Sequence, residues 1–149
     1  MIRLRLLAVG KGDGELGGFE ERMAKRLKPY VEFALVELPE GRGKIEQRKA
    51  EEERTILKAA AAGFILFDER GKGLSSVQWA EWLAQLPGNG ARDFVIGGAA
   101  GVTDAVRQAA GSIWSLSPLT LPHQLVRALV VEQLYRACTI HAGHPYHRV

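Results

Sequence analysis

The chain has little that would tie it to an oxidising or membranous setting. It carries one cysteine, Cys138, in 149 residues. No internal disulfide can form, and a reducing compartment, the cytoplasm, is the expectation. No run approaches the roughly 18 apolar residues of a membrane span, so no membrane partner is expected. The opening Met1-Ile2-Arg3-Leu4-Arg5-Leu6 alternates, without the continuous apolar core and small-residue cleavage site of a secretory signal. Charge of one sign is also scarce. Twenty Lys and Arg against 17 Asp and Glu leave +3, which permits a nucleic-acid partner without requiring one. Internal repeats, low-complexity tracts and linker-like stretches are missing too. Residues 1–149 are therefore expected to fold as one domain, long enough to bury a core.

What is present is an alternation of strand and helix patterns. Residues 3–9 alternate, with Leu4, Leu6 and Ala8 on one side, and are predicted as the first strand. Beyond the turn Gly10-Lys11-Gly12-Asp13-Gly14, the residues Leu16, Phe19, Met23 and Leu27 recur at helical spacing until Pro29. Residues 33–38 read as a second strand. Residues 45–62 read as a charged, exposed helix with Ile56 and Leu57 at its apolar end. Residues 64–67 are wholly apolar, as in a strand buried on both faces of a parallel sheet, and 68–73 are predicted as a loop. Ser75 and Gln78 form a potential capping box opening a helix with Val77, Trp79, Ala80, Leu83 and Leu86 inward. A fourth strand at 94–96, a helix at about 103–110, a fifth strand at 113–116 and a long helix from Pro122 to about Ile140 complete the series. The alternation predicts a three-layer α/β fold on a mostly parallel sheet.

Charge is uneven along this series. Residues 1–74 hold 15 of the 20 Lys and Arg and 13 of the 17 Asp and Glu. The second half is sparsely charged, as expected of buried strands, a pocket or a subunit interface, although solvated helices in the first half account for the same bias.

Four segments carry candidate chemistry. Gly12, Gly14 and Gly17 spell Gly-x-Gly-x-x-Gly between a strand and a helix, with Glu37 twenty residues on. That is the formal pattern of an NAD(P)-binding oxidoreductase, in which glycines admit a pyrophosphate and an acid holds the ribose; the alternative is a plain glycine turn. Gly97-Gly98-Ala99-Ala100-Gly101 follows a buried strand and opens a helix, where three glycines in five residues favour close approach of a ligand over a simple turn. Residues 116–123, Leu-Ser-Pro-Leu-Thr-Leu-Pro-His, alternate aliphatic walls with hydroxyls and suit an adenine-like ring, or serve as an ordinary connection. In the tail 141–149, His141, His144 and His147 stand three apart. A metal reading is set aside because Pro145 breaks the helix and no acid or cysteine lies close by. The tail is either disordered or folds over a site, where Tyr146 stacks and Arg148 holds a phosphate.

Taken together, Ile96-Gly97-Gly98, the run Ser115 to His123, Leu125-Val126-Arg127, Glu132-Gln133-Leu134-Tyr135-Arg136-Ala137 and His144-Pro145-Tyr146-His147-Arg148 resemble the signature of the RlmH family of SPOUT methyltransferases. Leu7-Ala8-Val9-Gly10-Lys11 matches as well, so the resemblance spans essentially the whole chain. It implies a deep trefoil knot at the C-terminal end of a Rossmann-like sheet, a feature that general topology rules make very rare. It also implies S-adenosylmethionine as cofactor, a homodimer in which one subunit's tail completes the other's site, no metal, and methylation of N3 of a pseudouridine in 23S rRNA of the assembled ribosome. By the same resemblance Phe67, Gly97, Leu116, Ser117, Pro118, Leu119, Thr120 and Leu121 bind the cofactor, while Tyr146, His147 and Arg148 act on the substrate. The chain departs from the family at Ala99-Ala100, where many relatives carry Pro-Glu. A ribosome-binding protein without catalysis, the oxidoreductase above and, more distantly, a zinc hydrolase are the rival readings.

Overall fold

The computed structural model describes residues 1–148; Val149, the last residue of the tail, lies outside them. Strand and helix alternate throughout: β1 (Arg3–Val9), α1 (Gly14–Leu27), β2 (Glu32–Leu38), α2 (Ile45–Ala59), β3 (Ile65–Gly73), α3 (Ser76–Ala84), β4 (Ala91–Ile96), α4 (Asp104–Ala109), β5 (Ser112–Ser115) and α5 (His123–Ala142). The strands form one sheet in the order β2-β1-β4-β3-β5, with every pair parallel. A parallel sheet puts all carboxyl ends at one edge, which is where such folds bind ligands.

Period-two alternation sorts the strand side chains into two cores. Leu4, Leu6 and Ala8 of β1, Ile65 and Phe67 of β3, and Phe94 and Ile96 of β4 face α1, α3 and α5. Their neighbours Leu7, Val9, Phe64, Leu66 and Val95 face Ile56 of α2 and Val106 of α4. Helices thus cover both faces, the three-layer arrangement that the strand patterns predict. No helix is long and apolar enough to cross a membrane.

Beyond shifts of one to three residues at element ends, such as β4 beginning at Ala91, the structure differs from the sequence reading in β3, α2 and α3. β3 does not stop at Phe67. It pairs again with β5 at Lys72 and Gly73 after a register break, because both Phe67 and Lys72 lie opposite Trp114. Residues 68–71 bulge outward, and Gly71 lies so close to the Ile113 carbonyl that a Cβ there would stand 2.7 Å from its oxygen. α2 ends at Ala59, short of residue 62, and is not merely exposed, since Glu52 and Ile56, one turn apart, both turn inward. In α3 the capping box of Ser75 and Gln78 is present, but Val77 points outward, 44% exposed, on the face opposite Trp79, Ala80 and Leu83.

An ion pair anchors the amino end of the sheet. Burial favours protonation of Asp93, yet hydrogen bonds from Arg5 at 2.8 and 2.6 Å and from the Ala61 amide at 2.8 Å outweigh it and hold its carboxyl below the ordinary range. The native state therefore binds fewer protons than the unfolded chain. The stabilisation is present above the ordinary carboxylate range and is lost as pH falls through the lowered value. Urea denaturation should find Asp93→Asn less stable than the wild type at pH 7 by about 1–3 kcal/mol. That gap should narrow as pH drops below the ordinary range; a constant gap would contradict the assignment.

Candidate active site

Three segments at the carboxyl edge of the sheet enclose a cavity of about 540 Å³: the end of β3 with its bulge (67–70), the glycine loop after β4 (96–102), and the β5–α5 connection (115–121). His123 and Val126 of α5 and Arg107 of α4 close it. The volume lies within the range of small-ligand pockets.

Each wall is shaped by a local constraint. In the glycine loop, Gly101 sits at φ +87°, in the left-handed region that glycine tolerates, and its amide returns to the Gly98 carbonyl at 3.0 Å. A Cβ on Gly97 would run into Val102, and one on Gly98 would lie 2.6 Å from the Glu52 carboxylate, so both positions need glycine for want of space. Thr103 then caps α4 by accepting from the Val106 amide, while its hydroxyl donates to Glu53 of α2 at 2.5 Å. In the β5–α5 connection, Ser115 Oγ accepts from the Ser117 amide at 3.2 Å and Ser117 Oγ from the Leu119 amide at 3.0 Å. These hydroxyl turns hold the chain irregular without strand partners.

The bulge of β3 supplies the polar side. Burial works to raise the carboxyl pKa of Asp68, but the Arg70 amide at 3.0 Å and Arg107 Nε at 2.9 Å prevail and keep it low. Glu69 Oε2 accepts from the Thr120 hydroxyl at 2.9 Å, tying the bulge to the β5–α5 connection across the cavity. Aliphatic walls, backbone amides and a few fixed charges suit a nucleoside carrying polar and charged groups.

Phe67, Gly97, Leu116, Ser117, Leu119, Thr120 and Leu121 therefore line one cavity; Pro118 lies in the same connection but not on its wall. Tyr146, His147 and Arg148 do not join them. α5 closes on Gly143, left-handed at φ +76°, and the tail folds back on the last turns of its own helix. The Tyr146 ring packs edge-on against Tyr135 at 4.7 Å, the Arg136 guanidinium lies 4.9 Å over the same ring, and Arg136 Nη1 donates to His147 Nδ1 at 3.0 Å. Arg136 is ten residues beyond cavity-lining Val126, about 15 Å along a helix.

The dinucleotide reading of Gly12, Gly14, Gly17 and Glu37 is overturned here. Gly14 begins α1 and Gly17 lies inside it, with Asp13 as the cap accepting from the Glu15 and Leu16 amides. Glu37 already accepts from the Gly12 amide at 2.6 Å and from Arg127 Nη1 at 2.8 Å, and Arg127 holds its carboxyl below the usual range. A Cβ on Gly12 would meet the same guanidinium. A second cavity of about 560 Å³ lies beside this turn, but the acid that would hold a ribose is spent on Arg127.

Sequence reasoning quoted Arg127 only within a family motif, without a role, and missed Arg107, the acidic bulge and Glu52. A signal existed for two of them: Glu52 and Ile56 share an inward stripe at i, i+4, as do Arg127, Val130, Val131 and Leu134 at i, i+3, i+4, i+7. Two other chemistries find no support. Burial pushes the Cys138 thiol up to about 12, unsuited to a nucleophile. Among the described residues no three His, Cys, Asp or Glu are grouped to hold a metal ion.

A parallel sheet covered on both faces, with a nucleoside-sized cavity built from the bulge within β3 and the segments after β4 and β5, defines the class. The chain belongs to the SPOUT methyltransferase family, whose model, described as a predicted SPOUT methyltransferase, matches residues 2–147. More narrowly, it is 44% identical to a protein of Rhizobium meliloti named ribosomal RNA large subunit methyltransferase H, over 99% of each chain. Proteins of the same name from Deinococcus radiodurans (45%, over 99% of each chain) and Brucella anthropi (47%, over 86% of this chain and 84% of the relative) are similarly close. A solved structure described as a probable methylase family protein from Haemophilus influenzae shares the fold, with TM-score 0.53 and 15% identity over 99% of this chain and 70% of that one. The family implies a trefoil knot in the C-terminal region.

Gly97→Ala should overfill the loop against Val102. The expected outcome is a loss of about 1–3 kcal/mol in stability, together with weakened binding of S-adenosylhomocysteine by calorimetry. Unchanged binding would separate this loop from the ligand site.

Proposed function

We propose that the chain is a single-domain, cytoplasmic, S-adenosylmethionine-dependent enzyme that methylates N3 of a pseudouridine in the 23S rRNA of the assembled ribosome. The observation that carries this reading is the 44% identity, end to end, with a relative named for methylation of large-subunit ribosomal RNA. The cavity supports the cofactor. At Gly97 and Gly98 its glycine loop is backed by Val102 and Glu52 with no room for a Cβ, and its mixed aliphatic and polar walls match a sulfonium nucleoside. Residues 116–121 and Phe67 would flank the adenosine, and the bulge of β3 would face its polar end. When bound, the cofactor supplies a methyl group made electrophilic by the sulfonium.

The protein's share is positioning and proton removal. Alignment of reacting atoms supplies about 7–11 kcal/mol in favourable systems, and a proton acceptor adds about 10²–10⁴-fold. Tyr146, His147 and Arg148 are the proposed substrate-side residues, with Arg148 steadying the anion left when the N3 proton departs. Arginine can only donate, so His147 Nδ1 accepts from Arg136 and the ring proton sits on Nε2. His147 thus serves as a base only after releasing Arg136.

The separation of tail and cavity along α5 supports a homodimer with shared sites. An antiparallel partner would bring its tail to the amino end of α5, where the cavity lies. Arg42, Lys44, Arg48 and Lys49, in and just after the loop that follows β2, form the proposed RNA rim; Arg42 and Lys44 are exposed, and Arg48 is partly offset by Glu40 at 3.8 Å.

Purified 70S ribosomes lacking the modification should accept label from methyl-labelled cofactor, and a protein that binds them without transfer would be a binding module instead. Tyr146→Phe and His147→Ala should each slow single-turnover transfer; wild-type rates in both would remove these residues from the chemistry. Co-expressing a Gly97→Ala chain with an Arg148→Ala chain should restore about a quarter of wild-type activity through mixed dimers. No recovery would mean that each chain completes its own site. Reversing the four rim charges should weaken ribosome binding more at low salt than at high salt, and equal loss at both would argue against the rim.

A further inference from the structure

Among the described residues three carboxylates are more than nine-tenths buried: Glu20, Glu52 and Asp93. Arg127 pairs with the first and Arg5 with the third. Glu52, 3% exposed, makes no ion pair among the described residues. Its Oε2 accepts one neutral hydrogen bond, from the Gly41 amide at 2.9 Å. Its Oε1 is sealed from solvent without a hydrogen-bond partner and lies 2.6 Å from where a Cβ on Gly98 would stand. Gly98 is a wall of the cavity. A carboxylate is thus pressed against the back of the glycine loop, one residue's thickness from the ligand space.

The other acids near the cavity differ. Asp68 is offset by Arg107 at 2.9 Å and Arg70 at 3.7 Å. Glu69 is exposed, where water and salt screen its field. Helix α2 holds the far end of the same loop through Glu53 and Thr103, so Glu52 cannot drift from Gly98 without moving the whole segment.

We propose that Glu52 is a specificity-determining residue of this cavity: its buried carboxylate behind Gly98, outside any ion pair among the described residues, makes the pocket prefer a cationic sulfonium nucleoside over the neutral thioether left once the methyl group has gone. This rests on the cavity being the S-adenosylmethionine site. The two ligands share almost one shape, so packing discriminates weakly between them, whereas a nearby unscreened charge acts on only one. A unit charge acting across roughly 8–10 Å at an effective dielectric near 20 changes a binding constant by about tenfold or more. In transfer, the carbon–sulfur bond breaks with its electron pair staying on sulfur, and the methyl joins the nitrogen whose proton has already left. The positive charge disappears from the pocket at that moment, and with it the attraction to Glu52. Capture of the reactant and release of the product are served by one side chain that touches neither.

Calorimetry on the full chain, with S-adenosylmethionine and S-adenosylhomocysteine titrated separately, tests this without turnover. Glu52→Gln keeps the shape and the acceptor for Gly41. It should weaken the sulfonium ligand about tenfold and leave the thioether almost unchanged, so that the preference collapses. Glu52→Asp keeps the charge and should keep the preference even where packing loss weakens both ligands. Equal weakening of both ligands in Glu52→Gln, no effect in it, or loss of the preference in Glu52→Asp would each overturn the proposal. If the wild type binds neither ligand, the cofactor reading itself fails, and that result is distinguishable because it needs no variant.

Discussion

The guanidinium of Arg127 is the contact on which the carboxyl edge of this fold depends. It is 2% exposed and reaches from α5 to Glu20 of α1 at 3.1 Å, to Glu37 at the end of β2 at 2.8 Å and to the Gly10 carbonyl after β1. Burial raises the Glu20 carboxyl against the opposing pull of this arginine, so the pair is not free of cost. Removing one partner of such a buried set typically costs about 3–5 kcal/mol because a charge is left unmatched. Hydrophobic packing alone would let a long helix slide or rotate on the sheet. Three directed contacts fix the rotation of α5, and its neighbour Val126 is thereby set against the cavity on the other side. The geometry of the cavity is inherited from an ion cluster that does not line it.

Much of this was legible before any coordinates. Alternation in 3–9 correctly divided Leu4, Leu6 and Ala8 from Leu7 and Val9, because a two-residue period leaves a strand no other choice. The capping box at Ser75 was legible because its donors and acceptors lie within four residues. What escaped was non-local. The continuation of β3 after Phe67 depends on where β5 lies, and nothing in Asp-Glu-Arg-Gly announces that pairing. The apparent dinucleotide loop failed for the same reason, since the partner that occupies Glu37 is 90 residues away in sequence.

The cavity and the tail show the two limits together. Segments 97–101 and 116–121 were singled out by glycine and proline content and meet in space. The tail was singled out with equal reason, yet it sits on Tyr135 and Arg136 at the far end of α5. Local composition marks which segments are unusual. It does not say whether they serve one site in one chain or two sites in a pair.

Phe67 belongs to two neighbourhoods at once. It lines the cavity and also stacks on Trp79 at 5.8 Å and edge-on to Trp114 at 6.2 Å, with Trp82 meeting Trp114 at 5.2 Å. Those are all three indoles of the chain. Every fluorophore excited at long ultraviolet wavelengths is therefore gathered in one aromatic cluster in direct contact with the pocket wall. The protein carries its own optical gauge of occupancy, read from emission intensity without any attached dye.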